Sequence, residues 1–231
     1  PGHHSNEAGA QVGALISVFM NRDAQNHSHM NFIGSKLPVA LQKEIAGEIW
    51  GSPDALDAPM DYKPMNAYKA KFIKWSLTRG RLHDSLTLCN WMWPMAVSPL
   101  KERKYRGDTS LEAKFYSLVT GIPKTEAELD LDSERVFTLF RALTVRAMNT
   151  VDMRNEHDQT TAWVTKADKD KPQFTPGTIQ MEKSDMELGR TMVYKEFGWD
   201  EKTGAPTKAR LEQLGLADVA SELGSKGLLP A

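Results

Sequence analysis

Residues 65–88, MNAYKAKFIKWSLTRGRLHDSLTL, form the longest stretch that reads as a single helix. Ala67, Phe72, Trp75, Leu82 and Leu86 are among its apolar positions, and Lys69, Lys71, Lys74, Arg79 and Arg81 are interleaved with them. Gly80 is a candidate bend. The basic set reads either as a solvated face or as a docking face for an acidic electron carrier. At its C-terminal end the helix delivers His83-Asp84-Ser85-Leu86-Thr87-Leu88-Cys89-Asn90-Trp91-Met92-Trp93-Pro94, which holds the single cysteine of the 231 residues.

One cysteine closes no intrachain disulfide, and it holds no metal centre alone, because zinc wants four ligands and an iron-sulfur cluster wants four thiolates. By residue type Cys89, between Leu88 and Trp91, reads as a small buried hydrophobe; as a ligand it needs partners from elsewhere.

Outward from this stretch the pattern stays helical. Ser5 to Asn21 reads as a helix so rich in Ala8, Gly9, Ala10, Gly13 and Ala14 that another element must approach it closely. Asn21 to Phe32 has no apolar period and carries His27 and His29, either exposed histidines or members of a metal site with His4. Pro38 to Trp50 is amphipathic through Leu41, Ile45, Ile49 and Trp50, and prolines 53, 59 and 64 mark a connecting loop. A basic cluster, Lys101, Arg103, Lys104 and Arg106, lies in an irregular stretch. Thr109-Ser110-Leu111-Glu112 and Thr125-Glu126-Ala127-Glu128 are capping-box patterns; the first opens a helix ending at Gly121, the second a short helix. Val136, Leu139, Phe140, Leu143 and Met148 give a further helix to about Asn149. Asp152 to Asp158 is a polar cluster that reads as a loop with internal salt bridges, Lys166 to Gly177 is a charged loop, and Ser184-Asp185-Met186-Glu187 opens another helix.

Composition bounds the rest. Lys plus Arg is 29 and Asp plus Glu is 30, a formal net charge of -1, which argues for neither nucleic acid nor an anionic membrane surface as partner. No apolar run reaches the roughly 18 to 20 residues of a membrane span, and Pro1-Gly2-His3-His4 has no signal-peptide character. The single cysteine fits a reducing compartment, so a cytoplasmic protein is expected.

Several of these pieces together resemble the tungsten-dependent aldehyde ferredoxin oxidoreductase family. Its C-terminal motif is Asp-x-x-Gly-Leu-Cys, and here Asp84, Leu88 and Cys89 match in register while Thr87 stands in the glycine's place. The small-residue helix followed by Arg22, His27 and His29 matches the order in which that family reaches a histidine close to the tungsten. Asp152 to Asp158 resembles its segment along the approach to the active site. Gly198-Trp199-Asp200, Gly204-Ala205-Pro206-Thr207 and Leu214-Gly215-Leu216-Ala217-Asp218-Val219-Ala220 match the family's ending most closely of all.

The resemblance implies an all-α fold, the irregular multi-helix C-terminal domains of such an enzyme. Residues 1–150 would be a helical cofactor-contacting domain with the cluster cysteine, and 151–231 a helical extension packed on it. Cys89 would ligate a [4Fe-4S] cluster, Asp84 would hydrogen-bond a pterin nitrogen, and Leu88 would pack beside it. His27 or His29 would exchange a proton with the substrate oxygen. The other cluster cysteines and most of the site for a tungsten or molybdenum bis-pterin would come from absent N-terminal domains or a companion subunit. The chain would then be a fragment, a cleaved piece or a separate subunit of an enzyme that oxidises aldehydes or related carbonyl compounds and passes single electrons to a ferredoxin-like carrier. From a different class, the alternative is a non-catalytic helical accessory or interaction subunit that lacks the cofactor.

Overall fold

The computed structural model describes residues 11–20, 37–56, 64–88, 96–159 and 182–231. Among them are nine α-helices and no strand: α1 (Gln11–Phe19), α2 (Val39–Trp50), α3 (Ala67–Leu86), α4 (Leu111–Thr120), α5 (Glu126–Met148), α6 (Met153–Glu156), α7 (Lys183–Phe197), α8 (Lys208–Gln213) and α9 (Ala217–Ser225). The all-α expectation therefore holds. Extended pairing among the described residues amounts to two isolated antiparallel bridges, Val97 with Arg106 and Trp199 with Pro206.

Helix α3 is the axis. Its start is fixed by Asn66, whose side-chain oxygen accepts from the Tyr68 and Lys69 backbone N–H groups at 2.9 and 3.0 Å. Phe72, Ile73 and Leu77 are buried, and α1, α2, α5 and α7 pack around it. Trp50, the last residue of α2, stacks on Phe72 at 4.1 Å and meets Trp75 edge-on at 5.5 Å. The apolar α1 buries Val12, Leu15 and Ile16 against α3 and α7. The close approach asked of this region falls on α7: a Cβ on Gly189 would lie 2.6 Å from Leu15 Cδ1.

The capping box at Thr125 forms, with the Glu128 carboxylate accepting from Thr125 N–H at 2.8 Å and Thr125 Oγ1 accepting from Glu128 N–H at 3.3 Å. It opens one helix of 23 residues, where the sequence suggested two, and Asn149 ends it in the left-handed conformation. The expected box from Thr109 to Glu112 does not form: the N-cap position falls one residue later, at Ser110, and Thr109 Oγ1 donates to Glu126 Oε2 at 3.3 Å. Ser110 Oγ donates to Asp108 Oδ1 at 2.6 Å instead, and Glu112 is buried.

A second core joins the end of α5 to the C-terminal helices through Ala142, Val145, Met153, Leu211, Leu214 and Leu223. Gly204 allows the turn before α8 to pass over Tyr194: its φ is +74°, and a Cβ there would lie 2.6 Å from the ring.

The polar segment 152–158 is no loose loop. Asp152 caps α6 by accepting from Asn155 N–H, and Asp158 is fully buried. Arg141 clasps the Asp158 carboxylate with both terminal nitrogens, Tyr194 donates to it at 2.6 Å, and His157 Nδ1 lies at 2.8 Å. Burial alone would lift the Asp158 pKa, but the His157, Arg141 and Tyr194 hydrogen bonds outweigh it and hold the acid below its ordinary 3.8. A folded-state pKa below the unfolded one contributes stability that is present above the unfolded value and lost as pH falls through the folded value. Urea unfolding of Asp158→Asn should accordingly show a loss of about 3–5 kcal/mol at pH 7 that narrows on acidification below the ordinary carboxylate range; a pH-independent difference would contradict this account.

Candidate functional site at the end of helix α3

The second half of α3 is a row of buried polar side chains. Arg79 is 1% exposed and His83 is fully buried. Arg79 Nε and Nη2 grip Asp130 at 2.5 and 2.9 Å; Nη2 also reaches Glu126 at 2.6 Å, and Nη1 reaches the Thr109 carbonyl at 2.7 Å and Glu112 at 3.4 Å. The other Glu112 oxygen lies 2.8 Å from His83 Nε2. A buried guanidinium is tolerated when its donors are satisfied by charged acceptors, and removing one partner of such a set costs about 3–5 kcal/mol.

Burial opposes the Arg79 charge, yet the hydrogen bond to Asp130 and the fields of Asp130, Glu112 and Glu126 prevail and raise its pKa above the ordinary value. Burial lifts the Asp130 carboxyl above its ordinary range even with Arg79 alongside, and Glu126 and Glu112 add to that. Three carboxylates around one guanidinium account for both directions.

The basic set of α3 is thus mostly interior. Lys69, Arg79 and Arg81 are buried, Lys74 reaches Glu134 at 3.0 Å and the Glu196 carbonyl at 2.7 Å, and Lys71 is exposed. The solvated-face reading fails for these three buried residues; Arg79 is satisfied by α4, α5 and the turn before α4, and Arg81 lies against Met20 and Phe140 from other parts of the chain as well as Asp84 of its own helix. The helix also runs through Gly80 without interruption.

The exit of α3 carries the motif. Thr87 adopts φ +57°, its N–H bonds to the Asp84 carbonyl at 3.4 Å, and Leu88 N–H bonds to the His83 carbonyl at 2.9 Å. This paired closure at a left-handed residue is the ending that glycine favours. Thr87 therefore takes up the backbone conformation that suits the glycine of the motif it resembles. Asp84 stays partly accessible, at 29% side-chain exposure, with Oδ2 3.1 Å from Arg81 Nη1. Leu88 is half-buried.

Of the expected site residues, Asp84 and Leu88 are brought together on this turn. Cys89, His27 and His29 lie outside the described residues, as do Trp91, Trp93 and Arg22. The end of α1, from which the histidine segment departs, does reach the same place: Met20 Sδ lies 3.8 Å from Arg81 Nη2. His83, Glu112 and Arg81 escape a reading by motif, since nothing in their local sequence marks them as buried.

Among the described residues no group of three or more His, Cys, Asp or Glu side chains is arranged to hold a metal ion. Two clefts of about 630 and 530 Å³ share Glu48, Ile49, Trp75 and Asp130, and flank the middle of α3 away from the motif.

A family model described as aldehyde ferredoxin oxidoreductase, domains 2 and 3, matches residues 7–216. Among solved structures, the active site complex BamBC of benzoyl coenzyme A reductase in complex with 1,5-dienoyl-CoA contains a chain of similar fold. The TM-score is 0.64 at 19% identity, over 96% of this chain and 32% of that one. This chain thus spans about a third of that relative's length.

A threonine held at positive φ carries a steric penalty that glycine does not, offset in part by glycine's greater unfolded-state entropy. Thr87→Gly is expected to raise stability by about 1 kcal/mol in urea unfolding, whereas a loss would mean that the α3 ending described here does not form.

Proposed function

The chain belongs to the aldehyde ferredoxin oxidoreductase family, and we propose that it forms the C-terminal part of a tungstopterin, iron-sulfur oxidoreductase acting on aldehydes or related carbonyl compounds. The observation that supports this most is the Asp84–Cys89 run at the exit of the central helix, with its glycine position in the left-handed conformation, inside a family match that covers residues 7–216.

The residues fit such a site as one corner of it. Cys89 offers one thiolate where a [4Fe-4S] cluster takes four, so the remaining ligands would come from N-terminal cofactor-binding domains or a companion subunit. Asp84 is a carboxylate left accessible at a helix end, suited to accept a hydrogen bond from a pterin nitrogen, with Leu88 packing beside it. His27 or His29 would exchange a proton with the substrate oxygen. When bound, the pterin-held tungsten or molybdenum supplies two-electron chemistry and the cluster a one-electron exit to a ferredoxin-like carrier. The His83–Glu112 and Arg79 contacts would keep the cluster-bearing turn rigid. The cofactor-contacting part is assigned to residues 1–150 and the C-terminal extension to 151–231. No helix of the described residues is long and apolar enough to cross a membrane, and the low cysteine content favours the cytoplasm.

The native assembly, captured through a tag on this chain, should give the visible and electron paramagnetic resonance spectra of a [4Fe-4S] cluster. Cys89→Ala should abolish the cluster or leave a three-iron form. An unchanged spectrum and iron content in that variant would remove Cys89 from the ligand set and favour the accessory-subunit alternative.

A further inference from the structure

Arg81 is a buried cation outside the Arg79 cluster. It is 4% exposed, and its guanidinium meets three elements: Asp84 Oδ2 at 3.1 Å, Met20 Sδ at 3.8 Å, and the face of Phe140 on α5 at 5.7 Å from the ring centre. Burying a guanidinium is costly, so a chain that keeps one at this spot gains something that an apolar side chain would not give.

Its partner is oddly sited as well. Asp84 lies in the last turn of a 20-residue helix, where the aligned peptide dipoles disfavour a carboxylate. What Asp84 has is the Arg81 contact three residues back and a side chain left 29% exposed, open to a partner from outside the helix. Arg81 offsets the unfavourable dipole and, through its Nη1 contact with Oδ2 at 3.1 Å, restricts the carboxylate. Met20 is the residue after α1, seven positions before His27, so the same guanidinium touches both segments from which the site would be built.

We propose that Arg81 is a positioning residue for the pterin: it orients the Asp84 carboxylate toward the pterin ring edge and ties the end of α1 to the end of α3. The inference rests on the reading of Asp84 as a pterin contact. Arg81 itself touches the carboxylate and has no part in the cluster ligation assigned to Cys89. Its loss should therefore separate the two cofactors, weakening pterin and its metal while sparing iron.

The test compares native assemblies of the wild type, Arg81→Lys, Arg81→Met, Asp84→Asn and the Arg81→Met, Asp84→Asn double variant, with the exposed Arg146→Gln as control, by tungsten and molybdenum per iron and by pterin released on oxidation. Arg81→Met should weaken pterin and metal retention about 10- to 100-fold, the usual effect of losing a residue that orients a ligand. Arg81→Lys should fall in between, and adding Asp84→Asn to Arg81→Met should cost little more, because the two act as one unit. A general loss of folding would lower iron and pterin together and leave their ratio unchanged, so an unchanged ratio in Arg81→Lys and Arg81→Met overturns the inference. A wild-type assembly with iron but no pterin or metal overturns the reading beneath it, and the inference with it.

Discussion

Arg79 is a full positive charge placed where water does not reach, and the molecule is arranged to make that tolerable. The three carboxylates that satisfy it come from two helices, Glu112 from α4 and Glu126 and Asp130 from α5, and a carbonyl comes from Thr109 in the turn before α4. Each of these contacts requires α3 to be packed against α5, α4 or the turn before α4, and the full set requires all three helices together. Once they form, sliding α3 by one turn would strand a buried guanidinium, so the register of the central helix is set by charge more firmly than by its apolar residues. Apolar packing supplies the bulk of the driving force and tolerates small shifts; the ion cluster does not.

Helix α5 extends the same logic along its length. Glu126, Asp130 and Glu134 recur every four residues on one face, and they meet Arg79, Arg79 again and Lys74 on α3. Glu134 also receives Arg210 from α8, and farther along α5 Arg141 holds Asp158 beside Tyr194 of α7. One helix thus connects the axis of the fold to its C-terminal helices through side chains of opposite sign. What emerges at the end of α3 is a turn held from within by His83 and Glu112, from the side by Arg81, and closed by the backbone at Thr87. A turn so held is a suitable mount for a residue that must present a ligand at a fixed angle.

Much of this was legible beforehand, and the failures have a common cause. Helix α2, the span of α3, the Thr125 box and the glycine ending at 121 follow from periodicity and local capping, which depend on neighbours within four residues. The burial of Arg79 and Arg81 and the use of Glu112 in the core instead of at a cap depend on partners about 30 to 60 residues away. Local pattern carries no trace of them. Within the site, the register of Asp84 and Leu88 was legible from the motif, and the left-handed Thr87 could have been inferred from the glycine that the motif prefers. Arg81 and His83 looked like ordinary members of a charged helix.

If this chain is one part of a larger metal-dependent oxidoreductase, as proposed, its native assembly should carry both further sequence and metal. The measurement that tests it most directly is the intact mass of every polypeptide in the natively purified assembly, taken with its tungsten, molybdenum and iron content. The expected result is cofactor-binding sequence beyond these 231 residues, on the same or a companion polypeptide, together with iron and either tungsten or molybdenum. A lone chain of this length, free of all three metals, would contradict it.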